Sequence, residues 1–228
     1  MQLAVDAHIP ECFGGVGGET IYIDTEGSLV VSRLVEIART AVAHCHNISI
    51  SQGTNQLSQG NVTLKKILEG IHIYRCHDYH ELMAVVQLLP EILNQNKKVK
   101  LVIVDSLANP FRHNLEDMNL RRLLQSILAK SFLKLASDSN IAVVLTNQMT
   151  TKIMAREGDS HQIPALGDTW AHIPASRVLL SVDCHGNRAA YLYKSLNMKE
   201  TTGLCSFQIT DDGVRDIPHG SNQERQFP

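Results

Sequence analysis

A chain of 228 residues with 43% hydrophobic and only 5% aromatic residues suits one large domain, or at most two small ones, with a core built mainly from Leu, Ile, Val and Ala. Its net charge of −2 excludes wholesale electrostatic attraction to nucleic acid or to an anionic membrane, so any such contact must come from local patches. Five scattered cysteines without a CxxC pair point to reduced thiols in a cytosolic or nuclear protein. No apolar run spans a bilayer, and no basic-then-apolar leader opens the chain.

In chain order, MQLAVDAH reads as the last turns of a helix stopped at Ile9-Pro10. Residues 12–18 form a glycine-rich loop and ETIYID (19–24) a β-strand. Residues 30–46 place Val31, Leu34, Val35, Ala38, Val42 and Cys45 at helical spacing. A polar loop at 49–61 precedes a short helix, VTLKKILEG, and a second strand, IHIYRC (71–76). DYHELMAVVQLLPEILNQN is helical, with Pro90 expected to break or kink it because proline removes a backbone donor.

KLVIVD (100–105) carries four consecutive apolar residues, which suits burial on both faces of a parallel sheet. Residues 116–137 predict an amphipathic helix with Glu116 and Asp117 in its first turn. Its apolar side is formed by Leu120, Leu123, Leu124, Ile127, Leu128 and Leu135. IAVVLT (141–146) is another apolar strand, and 148–166 a long polar loop. Strands follow at 176–183, 188–195 and 204–210, with HGN turning at 185–187, and a polar tail from His219. Alternating strands and helices predict an α/β fold: a mostly parallel sheet with helices on both faces and a C-terminal antiparallel extension. Residues 1–217 are expected to form the core and 218–228 a flexible tail.

The polar ends of three strands carry the chemistry: Asp24 and Glu26, then Asp105, then Asn147-Gln148. Open parallel sheets bind ligands at the carboxyl ends of their strands. An aspartate after LVIV is a rigid carboxylate at a dry edge, suited to holding hydrated Mg²⁺. Glu26, two residues past its strand, is placed to act as general base on a water. Asp24 equally suits a turn after a strand.

Taken together, YIDTEG, LVIVDS, VVLTNQMTTK and GDTWAH resemble the RecA-type recombinases of eukaryotes, the Rad-fifty-one family. IPECFGG, PFRH, LTNQMTTKI, PALG and YKS point more narrowly to its third, or C, paralogue group. The resemblance extends to about residue 217. It implies a RecA-like P-loop NTPase core, ATP with Mg²⁺, and a nuclear DNA-repair role in homologous recombination at double-strand breaks. Single-stranded or branched DNA and other recombinase paralogues are the implied partners. By the resemblance, Glu26 activates the attacking water, Asp105 organises Mg²⁺ and Gln148 senses the γ-phosphate. Arg112, in Phe111-Arg112-His113, belongs to a first DNA loop, and Lys152 and Arg156 to a second. His172 couples nucleotide state to that second loop. Lys194 approaches a phosphate across a protomer interface, or is simply a solvated strand-end lysine.

Two departures temper this. The family's phosphate-binding loop, G-x-x-x-x-G-K-[ST], occurs nowhere in the sequence, and GGVGGET (14–20) has glycines without a lysine and leads into a strand. The resemblance puts MQLAVD directly after that loop, so the chain is expected to begin just downstream of it and to be inactive as an ATPase alone. Leu196 also stands where the family tends to have proline. The alternative function is a non-catalytic assembly module that binds paralogues and DNA. His44-Cys45-His46 and Cys76-His77-x-x-His80 lack a zinc spacing.

Overall fold

The computed structural model describes residues 1–51, 62–112, 117–153, 160–196 and 203–217. Contacts divide the chain into two compact units, Met1–His172 and Ile173–Pro228.

In the first unit, α1 (Gln2–Asp6) leads to β1 (Glu19–Asp24), α2 (Val31–Ser51), α3 (Leu64–Glu69) and β2 (Ile71–Arg75). Then come α4 (Tyr79–Gln95), β3 (Val99–Asp105), α5 (Met118–Ser139) and β4 (Ala142–Leu145). These strands make one parallel sheet in the order β2-β1-β3-β4. Side chains alternate across a strand, so Tyr22, Leu101 and Ile103 face a cluster with Ala4, Val5, Leu34, Ile37, Ala38 and Ile67 of the helices α1, α2 and α3. Ile21, Ile23, Val102 and Val104 alternate to the opposite face and are fully buried. The helices start where side chains satisfy free amides. Asp78 accepts the Glu81 N–H at 2.9 Å and Asp117 accepts those of Asn119 and Leu120. Asn140, with φ of 49°, ends α5.

Several expectations need correction. α2 runs on to Ser51, into the stretch expected as loop. α4 is not broken at Pro90: Leu82, Val86 and Leu89 before it and Leu93 after it are all buried, so packing on both sides holds the helix through the lost bond. Asp117 caps α5 rather than lying in its first turn. The face of α5 that packs inward is Gln125, Leu128, Ala129, Phe132 and Leu135, while Leu120, Leu123 and Ile127 are exposed. β4 is only half-buried, because β3 is its sole strand partner among the described residues. The expected loop at 148–166 contains an antiparallel pair, β5 (Met149–Ile153) and β6 (Ser160–Pro164). A short helix, α6 (Gly167–Ala171), follows with Trp170 buried.

The second unit is a four-stranded antiparallel sheet in the order β10-β9-β8-β7. Its strands are β7 (Arg177–Val182), β8 (Arg188–Lys194), β9 (Leu204–Thr210) and β10 (Gly213–Asp216). The fourth strand has no counterpart in the sequence reading. Asp183 sets the β7–β8 turn by accepting the N–H groups of His185 and Asn187 at 2.9 and 2.8 Å. The tail from residue 218 lies outside the described residues.

Candidate functional site

The parallel register brings the carboxyl ends of β1, β3 and β4 side by side. Asp24 pairs with Asp105, and Val104 with Leu145. Asp105 is clamped from both neighbouring strands. The Tyr22 hydroxyl donates to its Oδ2, and Thr146 Oγ1 donates to its Oδ1 at 2.6 Å. Burial, and then the bond to Asp105, hold the Tyr22 phenol far above its usual range, so it remains a neutral donor.

Glu26 stands on the turn beyond β1, exposed, with two donors converging on its Oε1: the Ser106 hydroxyl and the Gln148 side-chain amide. The platform beneath is stitched between chain segments about eighty residues apart. Thr25 Oγ1 donates to the Ser106 carbonyl at 2.7 Å, and Asn109 Nδ2 donates to the Thr25 carbonyl at 2.8 Å. The Thr25 N–H reaches the Asp105 carbonyl at 2.8 Å. Because Gln148 turns its amide nitrogen to Glu26, its Oε1 is left buried with no donor. The carboxylate edge left on Glu26 accepts hydrogen bonds, which suits a water and repels a phosphate oxygen, which cannot donate.

The structure thus brings Glu26, Asp105 and Gln148 to one edge. Arg112 lies exposed just beyond the turn that follows β3. Lys152 is on β5, and Arg156 lies outside the described residues. His172 follows α6 at the end of the first unit, and Lys194 ends β8 in the second. Sequence reasoning missed Tyr22, Ser106 and Thr146. Ser106 and Thr146 offered one signal, a hydroxyl just past a strand end; Tyr22, inside β1, offered none. No group of three or more His, Cys, Asp or Glu able to hold a metal occurs among the described residues.

A single clamped carboxylate fits a hydrated Mg²⁺ held through its waters, not an ion ligated directly by the protein. The glycine-rich loop does not fit a phosphate cradle. Its amides are committed to the chain's own carbonyls: Gly15 to Pro10 at 3.0 Å, Gly17 to Ile9 at 2.8 Å and Gly18 to Ala7 at 2.8 Å. A Cβ on Gly15 would sit 1.9 Å from the Ile9 carbonyl oxygen, so the loop folds back on itself.

Comparison with known proteins identifies the family. The family model described as Rad51 matches residues 1–217. Among curated proteins, the chain is 47% identical over 224 residues to "DNA repair protein RAD51 homolog 3" of Cricetulus griseus, covering 95% of this chain and 58% of that protein. The protein of the same name from Dictyostelium discoideum is 38% identical over 216 residues, covering 95% of this chain and 56% of the relative. "DNA repair and recombination protein RadA" of Aeropyrum pernix is 28% identical over 218 residues, covering 94% and 61%. The chain spans well under two thirds of the length of each.

Proposed function

Because this chain belongs to the Rad51 family and carries its RecA-like core, we propose that Glu26, Asp105 and Gln148 form the hydrolytic side of an ATP site that serves DNA repair by homologous recombination. The observation that carries this is the convergence of the Ser106 hydroxyl and the Gln148 amide on Glu26 Oε1 at the carboxyl edge of the sheet, which fixes a carboxylate able to accept from a water. In the proposal Glu26 takes the proton of that water and Gln148 orients it. Asp105, fixed by Tyr22 and Thr146, holds hydrated Mg²⁺. Single-stranded or branched DNA would meet Arg112, Lys152 of β5, and Arg156. His172 would link the second DNA loop to nucleotide state, and Lys194 would reach a phosphate across a protomer boundary. Recombinase paralogues are the proposed partners and the nucleus the proposed location. No helix among the described residues is long and apolar enough to cross a membrane.

A second reading is favoured by one feature. No G-x-x-x-x-G-K-[ST] occurs in the sequence, and the glycine loop present keeps its amides to itself. In that reading the chain is an assembly module that binds paralogues and DNA without hydrolysing ATP. ATP turnover separates the two. Purified 1–228 is expected to show none, and turnover by it that Glu26→Gln abolishes would overturn that expectation. Within a longer protein that supplies a G-x-x-x-x-G-K-[ST] loop, the chain should hydrolyse ATP, with a loss of about 10²-fold or more in Glu26→Gln. No turnover in that longer protein decides for the assembly module. For the DNA contacts, affinity should fall steeply with salt as phosphate contacts are screened.

A further inference from the structure

We propose that Arg75 is a positioning residue for Glu26, acting through Asp24 and the turn that carries the base; the proposal rests on the reading of Glu26 given above.

The argument starts from the register. Asp24 and Arg75 are paired residues at the ends of the parallel strands β1 and β2, so the sheet itself delivers one to the other. Asp24 is almost fully buried, and its Oδ1 is the hub of the turn. It accepts the Glu26 N–H at 3.1 Å and the Gly27 N–H at 2.8 Å. These two amides fix the path of the chain on which the Glu26 carboxylate travels toward Ser106 and Gln148. The same Oδ1 meets Arg75 Nη1 at 3.0 Å, and Nη1 also reaches the Asp24 carbonyl at 3.4 Å. A carboxylate taken out of water without a cation is strongly disfavoured. Arg75 is the cation that Asp24 has there.

Gly27 closes the device. Its φ of +72° favours glycine, and a Cβ at that position would lie 2.5 Å from Nη2, 2.9 Å from Cζ and 3.0 Å from Nη1 of Arg75. The planar guanidinium therefore lies against the bare Cα of Gly27 while its edge holds Asp24. Glu26 is caught between a bonded residue on one side and a covered one on the other. A lysine reproduces the charge but not the flat contact. The glycine of YIDTEG is thus required twice, for its backbone angle and for the arginine that lies on it. Glu26 itself is exposed and next to a glycine, so without this hold its side chain would sample many positions instead of the one beneath Ser106 and Gln148.

The test needs no nucleotide and uses the chain of 228 residues as it stands. In Arg75→Ala, amide hydrogen exchange at Glu26 and Gly27 should quicken by about tenfold or more, while that at Tyr22 and Ile73 stays within about twofold. The side-chain carboxyl carbon of Glu26 should move toward the shift of a free glutamate. Arg75→Lys should recover part of both effects, and it carries the test if the alanine variant fails to fold. Methylguanidinium added to Arg75→Ala should slow the Glu26 and Gly27 amides again. Unchanged turn amides and an unmoved Glu26 carboxyl would overturn the proposal. So would an equal quickening along the whole of β1 and β2, which would make Arg75 a general support of the sheet. Failure of the ATP reading shows instead in the turnover of the longer protein, whatever these amides do.

Discussion

The strands of the first unit's parallel sheet and of the second unit's antiparallel sheet are similarly apolar, yet they differ in what covers them. In β1 and β3 nearly every residue is buried, on both faces. In β7 burial alternates, and Val178, Leu180 and Val182 are each at least 60% exposed. Cross-strand pairing puts Leu180 beside Ala190 and Cys205, Val182 beside Arg188 and Phe207, and Ile209 beside Val214, on one face. The difference teaches where a site can be built. Asp105 and Glu26 are held in place because β3 ends in the one and β1 leads into the turn that carries the other, and both strands are dry. The second sheet offers no such edge, and its apolar face lies open.

The sharpest way to break this comparison is to remove one buried and one exposed side chain of similar size. Ile23→Ala, at a fully buried position of β1, should destabilise the protein by about 2–5 kcal/mol, through lost burial and the cavity left behind. Leu180→Ala on β7, at 66% exposure, should change stability by no more than about 0.5 kcal/mol. Urea unfolding measures both. A cost at Leu180 as large as that at Ile23 would mean that the open face is covered in solution.

A smaller effect tests whether rigidity reaches the site. Tyr22 is 2% exposed and belongs to the α1–α2 core cluster, while its hydroxyl bonds the Asp105 carboxylate. Tyr22→Phe keeps the ring and removes only that bond, so the expected loss is about 1.5–3 kcal/mol, the range for a hydrogen bond to a charged group. The β7–β10 sheet should not respond. Amide shifts that move at Asp105 and Thr146 but not in β7–β10 would sharpen the contrast; an unchanged urea midpoint would remove Tyr22 from the clamp.

Much of the first unit was legible in the sequence because its strands are continuous apolar runs separated by stretches of helical spacing. The inward face of α5 was not. Leucines at 120, 123, 124, 128, 133 and 135 and Ile127 surround that helix, so periodicity left more than one possible stripe. The stripe used, with Gln125, Ala129 and Phe132, is set by what α4 and β4 present to it. Gln148 came from the family resemblance, since nothing local to TNQ says that it meets Glu26. Tyr22, Ser106, Thr146 and Arg75 were invisible for a common reason. Each acts on a residue of a neighbouring strand or strand end, and only the register of a folded sheet makes that contact.

The same register places a second polar clamp at the opposite end of β1, and it separates the two units by their response to acid. The Glu19 carboxylate meets His72 Nε2 at 2.8 Å, Asn96 Nδ2 at 2.7 Å and Lys98 Nζ at 4.0 Å. Burial alone would raise its pKa, but the hydrogen bonds from His72 and Asn96 and the nearby charges outweigh it and hold the carboxyl below the ordinary 4.5. A carboxyl with a depressed folded-state pKa stabilises the fold above the unfolded value and loses that contribution as pH falls through the folded one. The first unit should therefore lose stability as pH drops below about 4.5, and Glu19→Gln should flatten that part of the profile. In the second unit Asp183 is also held low, chiefly by Asn187, but it is only partly buried, in a hairpin turn whose partners lie within four residues, where solvent screens such pairs. Asp183→Asn should accordingly leave the acid profile nearly unchanged. Thermal unfolding followed from pH 7 to pH 3 distinguishes them: an acid response equally large in Asp183→Asn and Glu19→Gln would mean that burial at the base of β1 does not set the sensitivity.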